Sequence, residues 1–367
     1  MAKQKTILFV GADTGGHVVP VFALAKEFIE KTKYKVTVIG VGTATEKNFY
    51  SQIPRARYIK IIAGKFQFKS FFNNVFSAIK TAIGFIQSIF ILISDRPAVI
   101  FLKGNYATVP VAYAARILRI PLFAHESDAV IGKSNKLIAK FADKLFLSYP
   151  LEIYKDNISN GFYSGPILRP EIESKTPGDY KRFGFDKNKK TILIIGGSQG
   201  SHSINKAVLN ALDELLPLYQ IIHQTGTKDA AIALEKKRSL KEEYSKRYFT
   251  SPFINDVHGA ISAADLVISR ASSTIFELAA ASKASILIPY PHASLNHQTE
   301  NAKYFENKNA AVVVYDKNLS PTILYSAISK ILSTDKKRSE LASNISKSVK
   351  LNGRETVFNY LSEKIRN

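Results

Sequence analysis

Two glycine-rich segments have the residue types and the spacing to bind phosphate. Residues 11–17 follow the apolar run Thr6–Val10, and residues 196–200 follow the similar run Thr191–Ile195. Such β-branched runs are typical of parallel strands buried on both faces, and a glycine turn after the strand leaves the first amides of the next helix free for an anion. The repeated pattern predicts two similar domains, each with an anion-binding turn. For residues 196–200, a tight turn without a ligand is the alternative.

Metal-dependent chemistry has no basis in this sequence. There is no D-x-D pair, and the histidines and carboxylates lack metal-ligand spacing. The chain has no cysteine, which excludes a disulfide framework, a thiolate zinc site and a cysteine nucleophile. Residues 11–17 match neither the dinucleotide nor the P-loop pattern. The sequence therefore predicts no metal and no cofactor.

Two further polar groups are candidates for substrate contacts, and each has a structural alternative. Residues 125–128, His-Glu-Ser-Asp, follow a predicted strand, and parallel sheets bind ligands at the carboxyl ends of their strands. A hydrogen-bonded structural cluster is the alternative there. Thr274 and Glu277 have the T-x-x-E spacing of a capping box, whereas a carboxylate at a helix entrance can also accept hydrogen bonds from a ribose.

Apolar runs alternate with helical patterns along the chain, which predicts an α/β fold of two Rossmann-like domains. Gly165, Pro166 and Pro170 interrupt the periodicity, so we place the first domain at residues 1–164 and the second at 165–351. Residues 352–367 are predicted to form a terminal amphipathic helix. The further predicted strands are 36–40, 98–102, 122–124 and 144–147 in the first domain and 220–223, 266–269, 285–288 and 311–314 in the second.

The surface charge points to a phosphate-bearing partner. The 367 residues include 51 Lys and Arg against 30 Asp and Glu, a formal net charge of +21. Nucleic acid, anionic lipid and a nucleotide substrate all fit this charge. The first apolar stretch, residues 7–10, is too short for the apolar region of a signal peptide, so no export is expected.

The segment from Phe66 to Ile93 is unusually apolar at helical spacing. Its longest uncharged stretch, residues 81–94, has 14 residues, whereas a bilayer of about 30 Å needs about 20. We expect residues 81–94 to form a buried helix. Residues 66–79, flanked by lysines, are expected to lie at a membrane interface, with ordinary core packing as the alternative.

Taken together, the motifs resemble the MurG family, the UDP-N-acetylglucosamine:undecaprenyl-diphospho-muramoylpentapeptide N-acetylglucosaminyltransferases of peptidoglycan synthesis. The similarity runs along nearly the whole chain in the family's order. The matching motifs are Thr14-Gly-Gly-His17, Lys103-Gly-Asn-Tyr106, His125-Glu-Ser-Asp128 with Asn135, Gly165 to Arg169, Gly196-Gly-Ser-Gln-Gly200, His223-Gln-Thr-Gly226, Ser269-Arg270, Glu277-Leu-Ala-Ala, and His297-Gln298 with Asn301-Ala302.

The resemblance implies the GT-B architecture, two Rossmann-like domains with parallel sheets facing a central cleft, and a last helix that returns to the first domain. It also implies residue roles. On the donor side, Arg169 and Ser198 would contact the diphosphate, the backbone of Ile254 the uracil, Ser273, Thr274 and Glu277 the ribose and diphosphate region, and His297 with Gln298 the sugar hydroxyls. On the acceptor side, the resemblance implies a surface of Thr14, Gly15, Gly16 and Asp128.

The implied reaction is metal-independent, inverting transfer of N-acetylglucosamine from UDP-N-acetylglucosamine to the 4-hydroxyl of undecaprenyl-pyrophosphoryl-N-acetylmuramoyl-peptide. The acceptor hydroxyl must lose a proton, and a histidine with an ordinary pKa of about 6.5 can accept it at neutral pH. His17 is our first candidate for this base and Asp128 the second. The lipid acceptor implies peripheral attachment at the cytoplasmic face of the cell membrane, through residues 66–79 and anionic inner-leaflet lipids.

Three alternatives remain at this point. A UDP-N-acetylglucosamine 2-epimerase would share the two-domain architecture, and a glycolipid synthase with a diacylglycerol acceptor would share the chemistry. A basic nucleic-acid-binding protein fits the charge but lacks any helix-turn-helix, RNP or zinc signature. Two departures from the family pattern are Asn105, where a second glycine is usual, and the segment from Arg270 to Glu277, which is one residue shorter than usual and lacks its glycine.

Overall fold

Buried apolar strands form the centres of two separate parallel sheets. The computed structural model describes residues 4–65, 71–156, 158–173, 180–197 and 199–366. The chain divides into a first unit, residues 1–169 with 350–367, and a second unit, residues 170–349. The sequence-based boundary at residue 165 thus lies within five residues of the division between the units.

The first unit contains a seven-stranded parallel sheet in the order β3-β2-β1-β4-β5-β6-β7. Two of its central strands are fully buried and, apart from Thr6 and Lys103, apolar, because helices cover both faces of a parallel sheet. The strands are β1 (Thr6–Val10), β2 (Lys35–Gly40), β3 (Arg57–Lys60), β4 (Val99–Lys103), β5 (Leu122–Glu126), β6 (Lys144–Leu147) and β7 (Gly161–Tyr163). The helices are α1 (Gly15–Lys31), α2 (Ala44–Tyr50), α3 (Phe71–Asp95), α4 (Thr108–Ile117) and α5 (Lys133–Ile138).

The second unit contains a six-stranded parallel sheet in the order β10-β9-β8-β11-β12-β13. The strands are β8 (Thr191–Ile195), β9 (Gln220–Gln224), β10 (Tyr248–Ser251), β11 (Leu266–Ser269), β12 (Ala284–Leu287) and β13 (Val312–Val313). The helices are α6 (Pro170–Glu173), α7 (His202–Leu215), α8 (Ala230–Ser239), α9 (Glu242–Ser245), α10 (Val257–Ala263), α11 (Thr274–Ala280), α12 (His297–Asn307), α13 (Pro321–Leu332) and α14 (Asp335–Lys347).

In each sheet the strand order reverses at one place. This switch point lies between β1 and β4 in the first sheet and between β8 and β11 in the second. Loops diverge at a switch point and leave a crevice outside the carboxyl ends of the strands, where open α/β sheets bind ligands. Both glycine-rich segments found in the sequence begin at these points, because residues 11–17 follow β1 and residues 196–200 follow β8.

The last helix, α15 (Gly353–Arg366), belongs to the first unit. Its apolar side, formed by Val357, Leu361 and Ile365, is buried in the same cluster as Phe28 of α1. The rings of Phe28 and Phe358 lie 4.7 Å apart, and Arg354 pairs with the buried Glu27 at 2.6 Å. The first unit is therefore built from both ends of the chain.

One expectation about helices was wrong. Residues 81–94 do not form a separate buried helix, because they are part of the continuous 25-residue helix α3, whose outer side is exposed. Residues 66–70 lie outside the described residues, so the predicted interfacial segment is described only from Phe71. In α1, Pro20 is the sixth residue, and it cannot donate to the carbonyl of Gly16.

By length and composition alone, α3 could cross a membrane, contrary to the expectation from its uncharged stretch. The apolar span Phe72–Asp95 has 24 residues, and its most apolar window of 18 residues has a mean hydropathy of 1.8 and is 22% buried. The uncharged stretch of 14 residues lies between Lys80 and Asp95, whereas the helix extends through Lys80 back to Phe71. A core helix of a soluble protein can pass the same criterion.

Candidate active site

At the switch point of the first sheet, a hydrogen bond from Asn105 links the loop after β4 to the loop after β1. Asn105, which is 9% exposed, donates from Nδ2 to the carbonyl of Ala12 at 2.6 Å and accepts from the amide of Ala107 at 2.9 Å. The residue that departs from the family pattern therefore connects the two loops that border the crevice. No local pattern predicts this bond, because its partners are 93 residues apart in the chain.

A buried carboxylate holds the loop after β1 in place. Glu46, at the start of α2, accepts the amides of Asp13, Val41 and Gly42 at 2.8 to 2.9 Å and the hydroxyl of Tyr58 at 2.7 Å. Burial raises the pKa of Glu46, but these hydrogen bonds outweigh burial and the pKa is lowered. Asp13 has a left-handed backbone, with φ of 76°, which this anchor compensates.

The acceptor-side candidates lie at the beginning of α1. Thr14 is its N-cap residue and Gly15 its first residue, and Thr14 and Gly16 are exposed. A side chain added at Gly15 would meet no atom within 4 Å, so space is open beside this turn. His17 lies half-buried in the first turn, and its amide donates to the carbonyl of Thr14 at 2.9 Å. The amides of Gly15 and Gly16 thus lie in the first turn of α1 after the carboxyl end of β1, where a parallel sheet is expected to bind a ligand.

The loop after β5 presents Asp128 and is shaped by its buried neighbour Glu126. Glu126 accepts hydrogen bonds from the amides of Ser127, Asp128 and Gly132 at 2.8 to 3.1 Å. Asn135 donates to the same carboxylate at 3.0 Å. Burial raises the pKa of Glu126. Glu126 therefore holds the loop together through hydrogen bonds. Asp128, which is half-buried, is the candidate in this loop for a contact with substrate.

His125 is a core residue rather than a base. It is 1% exposed, and its Nε2 lies 3.3 Å from Ser148 Oγ and 3.4 Å from the carbonyl of Gly165. Burial lowers the pKa of His125 well below its usual value, so the ring is neutral. Of the histidines in the first unit, His17 is the one placed at the glycine-rich turn.

The glycine-rich turn after β8 is held by an arginine that sequence reasoning did not assign to the site. Arg270 donates to Ser201 Oγ at 2.7 Å and Ser203 Oγ at 2.9 Å, and it pairs with Asp316 at 2.6 Å. Gly197 and Gly200 have φ of 93° and 77°, values that favour glycine. Ser198, the predicted diphosphate contact, lies outside the described residues. Because Arg270 fixes Ser201, the N-cap of α7, it fixes the end of the turn.

Gln224 connects this turn to the predicted uracil contact. Its Nε2 donates to the carbonyl of Gly197 at 3.0 Å, and its Oε1 accepts the amide of Ile254 at 2.9 Å. The amide of Ile254 thus donates to the protein itself, so the predicted contact with uracil would be made by its carbonyl oxygen. The side chain of Gln224 thereby links the candidate diphosphate site to the candidate uracil site by hydrogen bonds.

The predicted ribose contacts lie after β11. Ser273 and Thr274 are half-buried at the start of α11, and Glu277 is partly exposed in its first turn. The capping box with Thr274 as cap does not form, because Thr274 is the first helical residue and the cap residue, Ser273, makes no side-chain cap hydrogen bond. The structural alternative for Glu277 is therefore weakened.

The predicted sugar contacts lie after β12. His297 is the first residue of α12, and Gln298 accepts the amide of Tyr290 at 3.0 Å. Just before them, Leu295 and Asn296 have φ of 53° and 55°, a left-handed conformation that is uncommon for such residues. Asn301 donates to the carbonyl of Ala271 at 3.0 Å and thus joins α12 to the loop after β11.

The structure brings the predicted residues together in two groups at strand ends. The described donor-side residues 254, 273, 274, 277, 297 and 298 follow strands of the second sheet, and residues 14–17 and 128 follow β1 and β5 of the first. Arg169 is the last residue of the first unit's long N-terminal segment and directly precedes α6. Among the described residues, no group of three or more His, Asp or Glu is placed to hold a metal ion.

Comparison with known proteins identifies the family. The glycosyltransferase family 28 N-terminal domain matches residues 7–147, and its C-terminal domain matches residues 191–356. A UDP-N-acetylglucosamine–N-acetylmuramyl-(pentapeptide) pyrophosphoryl-undecaprenol N-acetylglucosamine transferase of Thermodesulfovibrio yellowstonii is 38% identical, with 92% of this chain and 93% of that protein covered. The chain belongs to the MurG family. A Clostridium kluyveri protein of the same name is 33% identical over 89% of this chain and 91% of its own length.

Solved structures agree with the fold of this MurG-family glycosyltransferase. The crystal structure of Acinetobacter baumannii MurG matches with a TM-score of 0.76 at 24% identity and covers 98% of this chain and 100% of that chain. A UDP-N-acetylglucosamine 2-epimerase matches with a TM-score of 0.69 at 13% identity, covering 98% of each chain. At these identities the matches show the fold alone. They confirm the GT-B fold class, two Rossmann-like α/β units.

Proposed function

We propose that this protein transfers N-acetylglucosamine from UDP-N-acetylglucosamine to the 4-hydroxyl of a lipid-linked N-acetylmuramoyl-pentapeptide, the step from lipid I to lipid II in peptidoglycan synthesis. The observation that carries the proposal is the relative of that name, 38% identical along more than nine-tenths of both chains. Through peptidoglycan, the protein would contribute to cell shape and division. The 13% identity to an epimerase supports a shared fold and does not favour that activity.

The second unit fits the donor. UDP departs with negative charge on its diphosphate, and preorganised amides stabilise such charge where they need no reorganisation during reaction. The turn after β8 leads into α7, a 14-residue helix whose N-terminus favours an anion. Arg270 and Gln224 hold this turn in place. Positioned main-chain amides can thus take the role that a metal ion has in other transferases.

The first unit fits the acceptor. We assign His17 as the base that removes the proton of the attacking hydroxyl, because it lies half-buried in the first turn of α1 beside an open space. Asp128 is the second candidate base and otherwise positions the acceptor sugar. Attack by the acceptor oxygen on the anomeric carbon forms the new glycosidic bond as the bond to UDP breaks, which inverts an α-donor to a β-linkage.

We also propose peripheral docking of the first unit at the cytoplasmic face of the membrane, through the exposed side of α3. Large apolar side chains cover this side, among them Phe72 at 77% exposure, Phe90 at 69% and Phe76 at 64%. A lipid surface would bury this apolar area, and the net charge of +21 favours anionic inner-leaflet lipids.

The opposite side of α3 argues for lying on the membrane rather than crossing it. Small buried residues, Ser77, Gly84 and Ser88, face the rest of the unit. Ser77 Oγ donates to the carbonyl of Lys65 at 3.0 Å, and a side chain added at Gly84 would lie 2.0 Å from the carbonyl oxygen of Ile62. Because one side is packed this closely against the unit, only the other side is available to lipid.

The decisive assay follows UDP release by the purified full-length protein with UDP-N-acetylglucosamine and a short-chain lipid-pyrophosphate muramoyl acceptor. We expect release only when both substrates are present and a β-linked disaccharide product. His17→Ala should lower kcat by about 10²-fold or more, the usual contribution of a general base. Asn48→Ala, an exposed change on α2 of the same unit, is the matched control and should leave the rate unchanged.

Other outcomes would reject named parts of the proposal. Conversion of UDP-N-acetylglucosamine without an acceptor would favour the epimerase. Transfer to diacylglycerol but not to the muramoyl lipid would favour the glycolipid synthase. A His17→Ala variant as fast as the wild type would leave Asp128 as the remaining candidate base.

A further inference from the structure

A buried ammonium group lies behind the loop that presents Asp128. Lys103 is the last residue of β4 and pairs in register with His125 of β5, so it lies at the carboxyl edge of the first sheet. The residue is 1% exposed, and its Nζ donates to Ser127 Oγ at 2.9 Å. A charged group in such a place is strongly destabilising unless nearby groups compensate it. Its neighbours therefore explain why lysine is tolerated here.

Two carboxylates compensate this charge. Burial lowers the pKa of Lys103, while the negative charges of Glu126 and Asp128 act to raise it. In return, the charge of Lys103 lowers the pKa of Glu126 against the effect of burial. One cation thus faces two acidic groups, and the cluster cannot lose the cation without leaving like charges together in a poorly solvated place.

The same group fixes the geometry of the loop. Ser127 is held through its side chain by Lys103 and through its amide by Glu126 at 2.8 Å. The next amide, that of Asp128, also donates to Glu126, and the carbonyl of Asp128 accepts from the hydroxyl of Tyr154 at 3.0 Å. The main chain at Asp128 is therefore held on both sides.

We propose that Lys103 is a positioning residue of the acceptor side, which holds the 127–128 turn through Ser127 and supplies the positive charge that lets Asp128 be presented beside Glu126. The proposal deepens the acceptor role of Asp128 and rests on the proposed function. Lys103 itself is buried and does not touch substrate.

The test is a double-mutant cycle with Lys103→Met, Asp128→Asn and the combined variant, measured in the transfer assay. Methionine keeps the apolar stem and removes the charge. We expect Lys103→Met to lower kcat/KM for the acceptor at least 10-fold and to leave the KM for UDP-N-acetylglucosamine within twofold. The factor by which Asp128→Asn lowers kcat/KM for the acceptor should be at least fivefold smaller in the Lys103→Met background than in the wild type, because the two groups act as a pair. Lys136→Met, an exposed lysine of α5, should change neither value.

Independent effects of the two substitutions, multiplying within twofold, would overturn the proposal. The urea midpoints of the same four proteins give a second reading: Lys103→Met should lower the midpoint, and adding Asp128→Asn should recover part of it. If the wild type transfers nothing, the proposed function fails while the midpoints still decide whether the pair is coupled. If Lys103→Met does not fold, Ser127→Ala removes only the hydrogen-bond partner and should raise the acceptor KM. An unchanged KM in that variant would also contradict the proposal.

Discussion

His223 is a core histidine whose protonation is prevented by its surroundings. It is fully buried in the second unit, where Nδ1 lies 2.8 Å from the hydroxyl of Tyr248 and Nε2 lies 3.0 Å from Asn205 Oδ1. Burial lowers the pKa of His223 to about 3. An unfolded chain holds the same histidine at a pKa of about 6.5.

This difference predicts a loss of stability in mild acid. Between pH 6.5 and 5 the unfolded state binds a proton at His223 and the folded state does not, so the free energy of unfolding falls as the pH falls. The loss attributable to His223 should be about 1.6 kcal/mol over this interval, because the unfolded histidine is half protonated at pH 6.5 and almost fully protonated at pH 5. Urea unfolding at both pH values measures it. His223→Gln should lose less stability than the wild type between the two values, and an equal loss would contradict the assignment.

The positions of candidate site residues were predictable where they follow directly from the residue's own motif. His17 and Asp128 follow strands, and the rule that parallel sheets bind ligands at strand ends was enough to place them. Asn105, Gln224 and Arg270 were not assigned to the site, because their partners lie 93, 27 and 69 residues away in the chain. Such bonds exist only after the loops meet, and no local spacing encodes them. The substrate roles of the site residues remain predictions.

At the level of elements, α3 inverts the usual arrangement of a surface helix. Ser77, Gly84 and Ser88 are buried on its inner side together with Leu92, whereas most of its large apolar residues face outward. In a soluble helix the apolar stripe faces the core, so the sequence pattern alone predicted burial for residues 81–94. The close approach of Gly84 to the chain at Ile62 shows which side is packed.

Replacing the outward phenylalanines should remove membrane binding without unfolding the protein. The triple variant Phe72→Ser, Phe76→Ser and Phe90→Ser should lower partition onto phosphatidylglycerol vesicles at least tenfold, because the lost apolar area no longer enters the interface. Sedimentation with vesicles measures the partition, and the urea midpoint should stay unchanged. Serine at Leu218, Ile232 and Leu234, exposed apolar residues of the second unit, is the matched control.

Two results would contradict docking through α3: equal partition of the triple variant and the wild type, or an equal loss in the control. Lys65 is unsuitable for this experiment, because it pairs with Asp13 of the loop after β1 at 3.1 Å. Its substitution would disturb the acceptor side as well as any lipid contact.

Strands were predictable in the centre of each sheet and not at most of the edges. All ten predicted strands are present, and the three that were missed, β3, β7 and β10, are edge strands. Edge strands are covered less completely, so their residues alternate or are partly exposed and give no continuous apolar run. The central runs were sufficient to predict the two parallel sheets.

At the level of the whole molecule, the first unit depends on α15. Leu361 is fully buried against the cluster around Phe28, so Leu361→Ala should lower the free energy of unfolding by about 3 kcal/mol. Glu363→Ala, on the exposed side of the same helix, should change it by less than about 0.5 kcal/mol. Urea unfolding followed by circular dichroism measures both. Similar values for the two variants would mean that α15 contributes little to the first unit.

The return of the chain to its first unit has a consequence for biosynthesis. The seven strands of the first sheet are synthesised before the second unit, whereas the helix that covers Phe28 follows the second unit in the chain. Domains that fold in order during translation normally need only what has already emerged. Here the first unit must wait, with an uncovered hydrophobic face, until the whole second unit and α15 have been synthesised. Chaperones can engage that face throughout the synthesis of the second unit.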